Sequence, residues 1–452
     1  MMASRTKQLV ALVGALTLTV TLPTIGGAPP ATAGARGACA EFARYPDLRG
    51  ERVSVYTPIR GVEADLLQQA WQDFVDCTGV RIDYEGSADF ETEIGRRVAE
   101  GHAPDVAFFP QPGLIGTFAR DAEVLPLKGR ARAAAKRDFS ETWLGYGTFD
   151  GTLYATPLDA NVKSLVWYSP KMFRDAGWQV PGTWAELVAL SDTIAASGIE
   201  PWCAGIESGV ATGWPLTDWV EDVLLRMHGP ETYDRWIAHT IPFDDPAVVD
   251  AVERVGSVLR DDRYVNGGFG DVASIATTGY QEGGWPIRDG ECALHRQGSF
   301  YANLWPAGTT VAQEGDVFAF YLPTDRPDAE RPVLGAGHFV AAFDDRPEVD
   351  AVRAYLASGH FVNSRAKLGN WISAHRKLDV ANVVNPLDRQ SVELLQDPGT
   401  VFRFDASDLM PPAVGAGTFW SGMTEWINGR DTRETLADIE ASWREQPTVG
   451  RR

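Results

Sequence analysis

The 452-residue sequence predicts an α/β protein built as two lobes. Three observations carry this. A strand, helix, strand, helix, strand succession opens the chain after residue 50, the signature of a parallel sheet covered by helices. A second alternating stretch begins near residue 164, and the roughly 420 residues beyond the leader are too many for one core. No repeat, low-complexity block or long Pro/Ser linker separates the two stretches. The lobes are therefore expected to be interwoven by short crossing strands.

In chain order, Arg5 and Lys7 precede the uncharged stretch LVALVGALTLTVTL. It is too short, and too closely followed by Pro23, Pro29 and Pro30, to span a membrane. Residues 1–33 read as a secretory signal peptide, with Ala31, Thr32 and Ala33 as the cleavage pattern and Gly34 as the mature N-terminus. The protein is thus expected to be exported, periplasmic or associated with the cell surface. Lipidation at Cys39 is the competing reading, but Arg36 stands where a lipoprotein cleavage box holds an apolar residue. Four cysteines suit an oxidising compartment and allow two disulfides in three pairings. The expected pairing is Cys39 with Cys77 and Cys203 with Cys292. The cysteines are too far apart for a zinc pattern, and free buried thiols are the bland alternative.

RVSVYTP (52–58) reads as a strand. In GVEADLLQQAWQDFVDCTG (61–79), Leu66, Leu67, Ala70, Trp71, Phe74 and Val75 recur at helical spacing, ended by Thr78 and Gly79. VRIDYEG (80–86) is the next strand, SADFETEIGRRVAEG (87–101) a helix with a capping box offered by Ser87, and DVAFF (105–109) a short apolar strand. GTFDGTLYATP is a hairpin or loop. PLDANVKSLVWY (157–168) starts polar and ends as a strand. TWAELVALSDTIAAS is a helix and EPWCAG a strand. Helices dominate from Trp219 to Leu259, and DDPAVVDAVERVGSVLRDD is led by an aspartate cap. A Gly-rich segment, NGGFGDVASIATTGYQEGGW, precedes the strand ECALHRQGSF. VLGAGHFVAAF reads as one strand and EVDAVRAYLASGHFV as one helix.

The formal net charge of -20 argues against nucleic acid and anionic membranes as partners. No GxSxG elbow, HExxH, Walker A or dinucleotide GxGxxG occurs, and the seven histidines are scattered singly. Asp83, Glu85, Asp89 and Glu91 cluster in RIDYEGSADFETE and are the best candidates for a glycosidase pair, yet 61 acidic residues make such clusters common by chance. Aromatics are more telling. FFPQPG, ATGWPLTDW, QGSFYANLW, GNWISAHRK and AGTFW place rings where strands give way to loops. A sugar presents an apolar CH face and a rim of hydroxyls, so it needs flat rings beside Asp, Asn, Gln or Arg. These loops supply both.

On those residues the chain resembles the extracellular solute-binding proteins of ABC importers, in the carbohydrate-binding group of the maltose- and α-glucoside-binding proteins. The cues run in order: DVAFFPQPG, GTLYATPLDANVKSLVWYSPKMF, TWAELVALSDTI, TGWPLTDW, ALHRQGSF, VAAFDDRPEVDAVRAYLAS and GTFWSGMTEWINGRDTRETLADIEASW. The resemblance implies a two-lobed periplasmic-binding-protein (Venus-flytrap) fold with several hinge-crossing segments. It implies an N-terminal lobe of 39–160 and 336–382 and a C-terminal lobe of 161–335 and 383–446. It also implies a sugar between the lobes, delivery to permease subunits, a monomer, no cofactor, no metal and no catalysis. Carried over by position, Phe109 and Gln111 are ligand contacts of the first lobe, Trp214, Phe300 and Trp420 stack on the sugar, and Asn161 with Asp159 meets hydroxyls. Tyr56, Arg60 and Asp89 belong to loops facing the cleft, as do Asp218 and Trp371. Lys163 is solvated or ion-paired. Asn161 replaces an acid, Phe300 a tryptophan and Ala211 a tyrosine, so maltose itself is not implied. The alternatives are a non-sugar solute (polyol, glycerol phosphodiester or polyamine) and a secreted glycan-active enzyme.

Overall fold

The computed structural model describes residues 39–326 and 330–444. The expected signal peptide and the last two residues of the expected C-terminal lobe lie outside them. Residues up to Ala43 form a unit of their own, whose described part enters a 3-10 turn at Ala40; the chain from Arg44 onward is a second unit.

Among the described residues, fourteen strands run through that second unit. They are β1 (Arg52–Thr57), β2 (Arg81–Gly86), β3 (Val106–Phe109), β4 (Thr148–Phe149), β5 (Thr152–Leu153), β6 (Thr156–Pro157) and β7 (Asn161–Val162). After these come β8 (Leu165–Tyr168), β9 (Glu200–Trp202), β10 (Cys292–Arg296), β11 (Phe318–Tyr321), β12 (Arg331–Ala336), β13 (Phe339–Ala342) and β14 (Thr400–Phe404). The first lobe is built on the sheet β2-β1-β3-β13-β6, with β1 parallel to β2 and β3. All four residues of β3 are buried, as a central strand covered on both faces requires. At the edge, β2 carries Asp83, paired with Arg52 and Arg81, and Glu85, paired with Arg97. A charged edge discourages pairing with another chain.

The helical stretch predicted over 61–79 is two helices, Gly61–Ala70 and Gln72–Thr78, because buried Trp71 leaves helical geometry at φ -102° and ψ 3°. Gly79 closes the second with φ 79°. Ser87 does not build a capping box: its hydroxyl accepts from the Asp89 amide at 3.1 Å, and the helix starts later, at Phe90. The predicted GTFDGTLYATP hairpin is β4 with β5.

The second lobe is built on β11-β8-β10-β9. Thr183 and Glu186 form a capping box at the start of helix Trp184–Ala196. Helix Trp214–Ile237 bends at Gly229 ahead of Pro230. Asp245 caps helix Pro246–Leu259, whose Val248, Val252, Val255 and Leu259 enter the core. Each such burial contributes about 1.5–3 kcal/mol. Cys203 and Cys292 are joined beside this sheet, and none of the four cysteines is free.

Between the lobes lies a third sheet, β14-β12-β7. The segment 157–168 runs through three of the sheets: β6 pairs with β13, β7 with Gly335 and Ala336 of β12, and β8 joins the second lobe. VLGAGHFVAAF is two strands and not one, because the chain turns at Gly337 and His338 from β12 into β13. A Cβ on Gly335 would meet the Phe402 ring and the Asn161 carbonyl, so glycine permits this close crossing. The helix expected over 348–362 is also split, since extended Ser358 caps a new helix, Gly359–Ala366, through the Phe361 amide at 3.2 Å.

Candidate functional site

The carboxyl ends of β1, β2 and β3 feed three loops, 58–63, 87–91 and 110–111, that open onto one cavity of about 420 Å³. Such crevices at the ends of parallel strands are where α/β sheets hold ligands. The opposite wall comes from the second lobe and from the crossing strands.

That wall carries a cluster of rings. Trp214 stands edge-on to Tyr280 at 5.1 Å between centroids and lies 6.0 Å from Phe300. Trp420 lines the cavity as well. Lys163 Nζ sits 5.1 Å over the Trp214 ring.

Beneath the rings is a buried charge network. Lys163 Nζ donates to Asp218 Oδ1 at 2.8 Å and to Asp405 Oδ2. Arg296 lies behind, 3.0 Å from Asp222 and 3.6 Å from Asp218. Glu221, one turn after Asp218 on the same helix, accepts from the Ala406 amide at 2.7 Å and the Ser407 amide at 3.2 Å. Burial pushes Asp218 up to about 8 and raises Glu221 and Asp408 well above the usual carboxylate range. Burial would do the same to Asp405, but the Lys163 ammonium holds its carboxyl well below that range. The Lys163–Asp405 ion pair is thus set among acids that burial pushes upward. Asp218, Glu221 and Asp405 offer three carboxylate oxygens within 4.8 Å of one another. Lys163 already pairs with two of the three, Asp218 and Asp405.

On the first-lobe side, the His338 amide donates to Asp159 Oδ1 at 2.6 Å and its Nδ1 lies 2.9 Å from Asp159 Oδ2. Burial opposes the imidazolium, yet the Asp159 charge outweighs it and raises the histidine above its ordinary value. Burial raises Glu63 and Glu91, both at the cavity wall. Gln111 Nε2 donates to Glu91 at 3.0 Å. Two buried acceptors in the lining, Gln111 Oε1 and Asn303 Oδ1, have no partner among the described residues.

Of the residues the sequence singles out, Arg60, Gln111, Asn161, Trp214, Phe300 and Trp420 line the cavity together, with Ala211. Asp159 and Asp218 stand one layer behind, holding His338 and Lys163. Four are elsewhere. Tyr56 and Phe109 belong to the first-lobe core, both packed on Phe90, because their strands are covered on both faces. Trp371 is buried against Phe361 and the Arg365 guanidinium. Asp89 is exposed just before helix Phe90–Ala99 and outside the cavity lining. Sequence reasoning missed Glu63, Tyr280, Asn303, His338, Asp405 and Asp408 as cavity residues. A faint signal existed for Asp405, which begins the N-cap pattern DASD.

Residues 61–356 match the family described as bacterial extracellular solute-binding proteins. The chain belongs to that family. Among the relatives of this solute-binding protein, an osmoprotective compounds-binding protein of Synechocystis sp. is 41% identical over 88% of this chain and 94% of its own length. The alpha-glucosides-binding periplasmic protein of Rhizobium meliloti is 36% identical over 89% of both chains. Among solved structures, a chitin oligosaccharide binding protein superposes with a TM-score of 0.74 at 18% identity, covering 87% of this chain and 98% of its own. The solute-binding protein therefore has the periplasmic-binding-protein fold. No described helix is long and apolar enough to cross a membrane.

Proposed function

We propose that this solute-binding protein is the sugar-binding component of an ABC importer, taking an α-glucoside-like sugar or oligosaccharide between its lobes and delivering it to the permease. One observation carries this: the two orphaned acceptors, Gln111 Oε1 and Asn303 Oδ1, share the cavity with Trp214, Tyr280, Phe300 and Trp420. Buried acceptors without partners call for hydroxyl donors, and the rings call for a CH face. The 36% identity to an alpha-glucosides-binding protein supports the same ligand class. Arg60, Asn161 and Lys163 are the further polar contacts, and Asp159 and Asp218 position His338 and Lys163.

The lobes are 39–160 with 336–382, and 161–335 with 383–446. Sugar shifts the open and closed states by its differential affinity for the closed one. The protein is exported, acts as a monomer and performs no chemistry on its ligand. Calorimetric titration of residues 34–452 with maltose, trehalose, sucrose, cellobiose, glycerol phosphodiesters and polyamines tests this. Saturable binding of a glucoside, with no product after long incubation, is the expected result. Binding confined to the non-sugar solutes, or release of product, would overturn it.

A further inference from the structure

Next to the cavity is a second chamber of about 190 Å³. Glu91, Gln111, Ser407 and Trp420 line both. They form a wall of two pairs, one from each lobe: Gln111 donates to Glu91 at 3.0 Å, and Trp420 Nε1 donates to the Ser407 hydroxyl at 3.4 Å. Gln111 is 6% exposed and Trp420 4%, so neither is a loose surface group. Beyond the wall the chamber is bounded largely by Leu114, Val210, Met410 and Pro412.

Volume decides what each space accepts. A cavity of about 150 Å³ holds one unsubstituted six-membered ring. A space of 420 Å³ therefore suits two rings with their hydroxyls, and 190 Å³ suits one more. The chamber's apolar side offers a ring face but few hydroxyl partners.

We propose that this wall sets ligand length, so that the cavity takes glycosides of up to two rings and a third ring enters the chamber only when the Gln111–Glu91 and Trp420–Ser407 pairs part. The inference rests on the sugar-binding reading above. A ring lodged against the wall satisfies Gln111 Oε1 and leaves both pairs intact. A longer chain must break them and strip the half-buried Glu91 of its donor, a loss that a mostly apolar chamber does not replace.

Calorimetric titration of the mature chain with glucose, maltose, maltotriose and maltotetraose, and with sucrose and trehalose, tests this. The wild type should bind its best two-ring ligand about tenfold or more tightly than any longer one. Trp420→Ala should weaken the two-ring ligand and bring the three-ring ligand to within about threefold of it. Adding Val210→Trp, at a half-exposed position that lines only the chamber, should restore the discrimination. Gln111→Ala opens the wall from the other lobe, should Trp420→Ala not fold. Equal binding of two-, three- and four-ring ligands by the wild type overturns the proposal alone, as does a uniform loss in both wall variants. Failure of every glycoside to bind overturns the sugar-binding reading, and the length limit with it.

Discussion

Lys163 shows how one side chain joins stability to the site. Lys163 is 6% exposed, and its ammonium holds Asp405 ionised while lying over the Trp214 ring. Lys163→Met leaves a buried carboxylate without its cation, which costs about 3–5 kcal/mol. Urea denaturation should show that loss, and a smaller one for Lys163→Met combined with Asp405→Asn. Asn303 works on the ligand instead. Its Nδ2 is engaged by the Asn370 carbonyl at 3.1 Å while Oδ1 is free for a hydroxyl. Asn303→Ala should weaken sugar binding by about 1–1.5 kcal/mol, roughly tenfold, by calorimetry. An unchanged affinity would remove Asn303 from the site.

At the scale of elements, the crossing strands and the disulfide set the frame. Cys203–Cys292 closes an 89-residue separation with Cα atoms 5.9 Å apart, beside the pairing of β9 with β10. Cys292→Ser should lower stability by about 2–5 kcal/mol in denaturant. Reducing agent should leave that variant's second-lobe stability little changed while destabilising the wild type. The segment 157–168 was legible as a strand with a polar entrance, while its passage from one sheet to the next is visible only in the strand pairing. Nor was its finer geometry legible. Asp159 and Asn161 share strand parity, yet Asp159 turns to His338 and Asn161 to the cavity, because β6 and β7 pair in different sheets. Splits at Trp71 and Ser358 escaped a periodic reading because the apolar spacing continues across them while the backbone does not.

For the whole molecule, pH couples to the junction between lobes. His338 lies where β12 turns into β13 and faces Asp159, Glu63 and Glu91. Its proton is held more tightly in the folded state than in the unfolded chain. The stabilisation is therefore complete below about pH 6.5, the ordinary histidine value, and is lost as pH rises through the higher folded-state value. Chemical denaturation at pH 6, 7 and 8 should show wild type exceeding His338→Gln most at pH 6, with the gap closing towards pH 8. A gap independent of pH would mean that the imidazolium contributes nothing to the fold.

The sequence by itself determined the two-lobed α/β plan, most of the element order and three of the five aromatic loops, those that bring Trp214, Phe300 and Trp420 to the cleft, because periodicity, caps and turn residues act over short stretches of chain. Only the tertiary structure decided which polar groups meet there. Tyr56 and Phe109 lie on strands buried on both faces, so alternation could not tell the core face from the ligand face. Lys163, Asp218 and Asp405 are distant in sequence and became one site only when a crossing strand, a helix and the turn after β14 were packed together.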